Sequence, residues 1–92
     1  MQNQADFTAQ LQAAGYTEIL TREIPPGLAT PEHTHAWDAS GLVLAGEFSV
    51  VSAAGAQRCA PGQSFQLAAG TPHTEASGPA GATLLVGRRP RP

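Results

Sequence analysis

Apolar positions along this chain follow two different periods. Over residues 6–14, DFTAQLQAA, Phe7 and Leu11 stand four apart, Asn3 or Asp6 can cap the first turn, and Gly15 sits where a left-handed residue closes a helix. This predicts one short helix near the N-terminus. From Tyr16 onward the helical period is lost. Short runs rich in Val, Ile, Leu, Thr and Phe are interrupted every 6 to 12 residues by PPG (25–27), AG (45–46), SAAG (52–55), PG (61–62), AAGTP (68–72) and SGPAG (77–81). Punctuation at that spacing predicts seven or eight strands and an all-β barrel or sandwich.

Composition narrows the picture further. A chain of 92 residues has room for one core, so residues 1–92 are read as one domain: a helical segment over 1–15, a barrel over 16–89 and a tail over 90–92. Hydrophobic residues make up 41% and charged residues 13%, with 10 Gly and 8 Pro, which suits a turn-rich β-fold rather than a charged helical bundle. Lysine is absent and the net charge is -2, so there is no broad basic face for nucleic acid; Arg88, Arg89 and Arg91 read as a solubilising end. The N-terminus lacks a positive region followed by an apolar one, and runs such as TLLV are too short to span a bilayer, so the expectation is a soluble, cytoplasmic protein without membrane contact. Cys59 is the single cysteine and reads as a small apolar strand residue.

The chemistry gathers around three histidines. In PEHTHAWD, residues 31–38, His33 and His35 stand two apart; on a strand that spacing puts both rings on one face. His73 and Glu75 share a face for the same reason. If both pairs face into a barrel, three imidazoles and a carboxylate converge, and an open transition-metal site needs three or four such donors around one point. An isolated His-x-His is more often a surface feature than a ligand pair, and a lone strand-end glutamate is usually solvated, although its phase with His73 makes a site role for Glu75 about as good a reading.

The flanking residues tilt that balance. GLATPEHTHAWDASGLVLAGEF resembles the first motif of the cupin superfamily, a glycine followed by His-x-His, a glutamate and a second glycine, with Gly27, His33, His35 and Gly46 in register. GQSFQLAAGTPHTEAS resembles the second motif, with Gly62, Gly70 and His73 in register, Ala68 in place of a proline and Ser77 in place of an asparagine. The resemblance implies a double-stranded β-helix and one divalent metal (Fe, Zn, Ni, Cu, Co or Mn) on His33, His35 and His73. It also exposes a departure. The glutamate of the first motif would fall at residue 39, which is Ala39, with Ser40 at the alternative spacing; Asp38 is one residue out of phase. The ligand set is then three histidines, with Glu75 as fourth ligand, orienter of a bound water or catalytic base.

Two further expectations follow from strand phase. If residue 39 faces inward, so do Gly41, Val43 and Ala45, leaving room for a ligand above the metal, while Leu42 and Leu44 face out. Two outward leucines need cover, from the helix or from a second subunit, so a homodimer is expected. Trp37 either lines the cavity mouth or packs against that partner, and Asp38 ties down the turn that leads into the next strand. For function, the resemblance implies a small-molecule ligand or substrate. The readings are an Fe(II)-type dioxygenase, a binding protein without turnover, or a sugar or keto-acid isomerase or lyase with Glu75 as base.

Overall fold

The computed structural model describes residues 2–91; Met1 and Pro92, the outermost residues of the expected helical segment and tail, lie outside them. Helix α1 covers Gln4–Ala13. It starts two residues before the expected boundary because Asn3 is the cap, its side-chain oxygen accepting the Asp6 N–H at 2.9 Å. Phe7 and Leu11 form its buried stripe, and Gly15 takes φ +84° just past its end.

Among the described residues five strands follow: β1 (Glu18–Ile24), β2 (Trp37–Ser52), β3 (Gly55–Cys59), β4 (Ser64–Leu67) and β5 (His73–Pro90). All pairings are antiparallel, in the order β1-β5-β2-β3 with β4 also on β2. There are fewer named strands than the punctuation predicts because β2 and β5, with 16 and 18 residues, each run through the bend that would divide them in two. Their shared ladder shifts register between Val43 and Ala45 and again between Gly46 and Phe48. At the bend Gly46 has φ +76°, and a Cβ there would stand 2.0 Å from the Gly81 carbonyl oxygen, so the two strands cross only over a bare backbone.

The bend also resets which side chains face the core. Ala39 and Val43 point inward on its N-terminal side, and Phe48 and Val50 on its C-terminal side. Ala45, expected inside, is exposed. Gly41 does face inward, but the space beside it is filled: a Cβ on Gly41 would lie 2.3 Å from the Phe65 ring. The expected room for a ligand along residues 39–45 is therefore occupied by the core.

A second apolar layer lies outside the sheet, where Leu42 and Leu85 pack with Phe7, Leu11 and Tyr16, and Leu44 and Ile19 sit at its margin. Leu42 is 1% exposed, a burial that stabilises by about 1.5–3 kcal/mol. The cover that these leucines require comes from α1, so they give no ground for a second subunit. The C-terminal arginines differ from the solubilising end expected of them. Asp38, 4% exposed on that outer face, accepts from Arg89 at 2.8 and 3.1 Å and from Arg91 at 2.9 Å. Its other oxygen accepts the Ala69 N–H at 2.9 Å, so the turn it ties down is the one before β5, not the one after the histidine pair. Arg89 also stacks on Tyr16, 4.7 Å from the ring centroid.

Candidate metal centre

Residues 25–36, which carry two of the three histidines, are not a regular strand. Prolines 25, 26 and 31 have no N–H to give to a ladder, and the segment is held instead by isolated backbone bonds. His33 and His73 exchange N–H···O bonds of 3.0 Å in each direction, the Thr30 N–H reaches the Glu75 carbonyl at 2.9 Å, and the Gly70 N–H reaches the His35 carbonyl at 2.8 Å. Directly opposed residues of an antiparallel pair point to the same face, so the His33–His73 bridge brings the two motifs together. The Thr30 hydroxyl accepts the Glu75 N–H at 2.9 Å, so Thr30 engages both backbone polar groups of Glu75.

The four predicted side chains meet. Glu75 Oε2 lies 3.1 Å from His73 Nε2, 3.5 Å from His35 Nε2 and 3.6 Å from His33 Nε2. The donor atoms of all four residues fall within 4.8 Å of one another. Donors about 2.1 Å from a shared ion at the corners of a tetrahedron stand about 3.4 Å apart, which is the spacing of these contacts. Ring tautomers agree. His33 Nδ1 lies 2.9 Å from the Pro31 carbonyl and His73 Nδ1 lies 2.8 Å from the Thr71 carbonyl. A carbonyl oxygen can only accept, so each of these Nδ1 atoms is a donor, and in the neutral ring Nε2, the atom nearest Glu75, is the nitrogen left for coordination. Three imidazole nitrogens and a carboxylate oxygen directed at one point are the donor set of a divalent cation. The residues present thus fit a divalent ion, with Glu75 as fourth donor and Ala39 contributing nothing.

Exposure grades across the cluster. The His73 side chain is fully buried, that of Glu75 is 12% exposed, and those of His35 and His33 are 23% and 31% exposed, so the approach is from the His33 and His35 side. Burial pushes the His35 imidazole below its ordinary value, opposed by its hydrogen bond to Glu75, which favours the neutral ring that coordination requires. Trp37 stacks on His35 with centroids 4.7 Å apart and lines the cavity behind it. That cavity is about 30 Å³, lined also by Arg22, Ala39, Phe65, Glu75 and Arg88. It has room for one or two waters and not for a whole organic substrate. Cys59 stays apart from the site, and burial pushes its thiol up, away from reactivity.

Sequence reasoning missed Thr30, Arg22 and Arg88. Nothing in the sequence marked Thr30. Arg22 carried a signal: it alternates with Leu20 and with Ile24, which is buried in the interior core, and so shares their phase.

Comparison with known proteins bears on both fold and site. Solved structures with this fold include a protein of unknown function from Rhizobium leguminosarum bv. viciae, 22% identical with a TM-score of 0.75 over 99% of this chain and 98% of that one. An RmlC-like cupin from Shewanella frigidimarina is 22% identical with a TM-score of 0.67, covering 79% of this chain and 65% of the other. The DMSP lyase DddQ from Ruegeria pomeroyi is 26% identical with a TM-score of 0.67, covering 77% of this chain but 36% of the lyase. This chain thus spans less than two thirds of the length of the last two. No protein with a curated function matches the sequence. Among the described residues no helix is long and apolar enough to cross a membrane. The model of the Cupin domain family matches residues 20–86, which include all three histidines, Glu75 and every strand but the ends of β1 and β5, and the chain belongs to that family.

Proposed function

We propose that this protein binds one divalent transition metal through His33, His35, His73 and Glu75 and uses the site for redox-neutral, lyase- or isomerase-type chemistry on a small molecule. The observation that carries the reading is the approach of Glu75 Oε2 to all three imidazole Nε2 atoms at 3.1 to 3.6 Å. A bound ion supplies a Lewis acid that polarises an oxygen of the bound molecule and acidifies the neighbouring C–H.

The chain's own residues supply the rest. His73, fully buried, anchors the cluster, and its Nδ1–H bond to Thr71 holds the ring in the coordinating tautomer. His33 is held in the same way by Pro31. Glu75 has a second carboxylate oxygen, which serves as the base that accepts a proton from the bound molecule. Thr30 fixes the backbone from which Glu75 projects. A carboxylate held at the reacting position favours proton abstraction over oxygen chemistry, and the likeness to a lyase at 26% identity points the same way. The pocket behind His35 admits only a small group, so the substrate lies mostly in the mouth, beside His33 and His35.

Metal analysis of protein purified without a histidine tag, followed by an assay on small hydroxy and keto acids with an oxygen electrode, tests the reading. About one ion per chain and turnover without oxygen uptake are expected. Substrate-dependent oxygen consumption would replace it with the dioxygenase reading, and turnover unaffected by chelation would remove the metal from the mechanism.

A further inference from the structure

Behind the four donors, the barrel interior holds two arginines that neither the fold nor the cluster explains. Arg22 on β1 lies opposite Leu84, in phase with Ile24 of the interior core. Arg88 on β5 is in phase with Leu84 and Val86, also of that core. Both guanidinium groups therefore project from the inner face, and both line the cavity of about 30 Å³ that His35, Trp37 and Glu75 share. Arg88 lies over the Trp37 ring, 4.7 Å from its centroid, and Trp37 in turn stacks on His35, so its guanidinium is held one aromatic plane away from the donor cluster. Arg88 also pairs with Glu18, its register partner on β1, at 3.2 Å, and that glutamate side chain is 56% exposed. Arg22 has no carboxylate within 4 Å among the described residues.

Arg22, which lines this cavity together with Phe48, Phe65 and Val86, therefore has no carboxylate to offset the hydration its guanidinium gives up there. With a divalent ion bound, charge across the cavity would be one-sided as well: the ion and Arg22 are positive, Glu75 cancels one charge, and Glu18 is already engaged by Arg88. An anion is what the cavity lacks. Its volume suits one or two waters or the head of a carboxylate, and arginine forks match a carboxylate with paired N–H···O bonds.

We infer that Arg22 and Arg88, with Trp37 as their platform, form a carboxylate-binding subsite, so that the small molecule met by the metal site is an organic acid whose carboxylate lies behind His35. This rests on the metal-site reading for what happens to the bound acid, but the anion subsite is measurable without it.

Propionate, with propionamide as its neutral isostere, is titrated into zinc-loaded and chelator-treated protein while 15N NMR follows the Trp37 indole and the arginine Nε signals, with metal content measured on the same samples. Saturable shifts at Trp37, Arg22 and Arg88 are expected with propionate and not with propionamide. Arg22→Gln and Arg88→Gln should each weaken propionate about tenfold or more, Arg22→Lys by less, with zinc content unchanged in all three. Equal responses to acid and amide, or an Arg22→Gln protein that binds propionate as the wild type does, would overturn the subsite. Full zinc content with no propionate response sinks the subsite alone. A wild-type protein that takes up no zinc but binds propionate through these arginines sinks the metal reading and supports the subsite. The amide spectrum reports whether each variant is folded; should Arg22→Gln fail to fold, Arg22→Lys and Arg88→Gln carry the comparison.

Discussion

His33 and His73 exchange both of their backbone hydrogen bonds, at 3.0 Å each way, and their imidazole centroids stand 4.3 Å apart as a result. They are 40 residues apart in sequence, so this one bridge joins the two halves of the donor cluster. It also explains why a proline-rich segment with no regular ladder can hold two histidines in place: the segment is tied at His33 itself.

Removing the buried member of that pair should empty the site. His73→Ala is expected to lose most of the metal, as should His33→Ala and His35→Ala, while the circular-dichroism spectrum stays that of a β-protein. Glu75→Gln keeps an oxygen at the same position and should retain metal at micromolar concentrations but lose turnover by about 100-fold or more, the scale of a general base. Full metal content in His73→Ala protein would refute the assignment.

Moving the carboxylate is a sharper test. Ala39 and Glu75 line the same cavity, so Ala39→Glu alone puts two carboxylates in one small space and should lower stability. Combined with Glu75→Ala it should recover metal binding lost in the Glu75→Ala single variant. Metal titration of the four proteins of this cycle gives the coupling directly; strictly additive effects would mean that residues 39 and 75 do not share a site.

Asp38 makes stability depend on acid pH. The Ala69 N–H and the Arg89 and Arg91 guanidinium groups hold its carboxyl down to about 2, below its ordinary 3.8. A depressed folded-state value means that the stabilisation is fully present above about pH 4 and is lost as pH falls toward 2. Asp38→Asn should therefore be less stable than wild type in urea at pH 7, with the gap closing at pH 2. A gap of the same size at both values would show that the carboxylate charge is not what the arginines hold.

Filling the space beside Gly41 should be costly. A Cβ there meets the Phe65 ring at 2.3 Å, so Gly41→Ala is expected to destabilise by about 1–3 kcal/mol. Phe65→Leu in the same chain should recover part of that loss if the ring is the obstacle. Equilibrium denaturation of both single variants and the double one decides it.

On the outer face, Leu42→Ala should cost about 2–5 kcal/mol, because Leu42 is 1% exposed beneath Phe7 and Leu11. A loss below about 0.5 kcal/mol, measured by the same denaturation, would mean that α1 does not cover the sheet in solution.

Local chemistry alone settled a good part of this protein. Phe7 and Leu11 at helical spacing, with Asn3 before them and Gly15 after, specify α1 because capping and i, i+4 contacts act within a few residues. Alternation put Glu75 with His73, and it held because both lie on one uninterrupted stretch of β5. Glycines and histidines at matching intervals identify the family. What the sequence left open depends on contacts between distant segments. The register shifts around Gly46 reversed the phase expected for Ala45, since a bulge is set by the strand across from it, here at Gly81. Strand phase showed that Leu42 needs cover but not that α1, some thirty residues earlier, supplies it, because only the fold returns the helix to the sheet. Arg88 and Arg89 are neighbours in sequence, yet one enters the barrel beside Trp37 and the other locks Asp38 outside it. Adjacent residues on a strand point to opposite faces, and only the folded sheet decides which face is the interior.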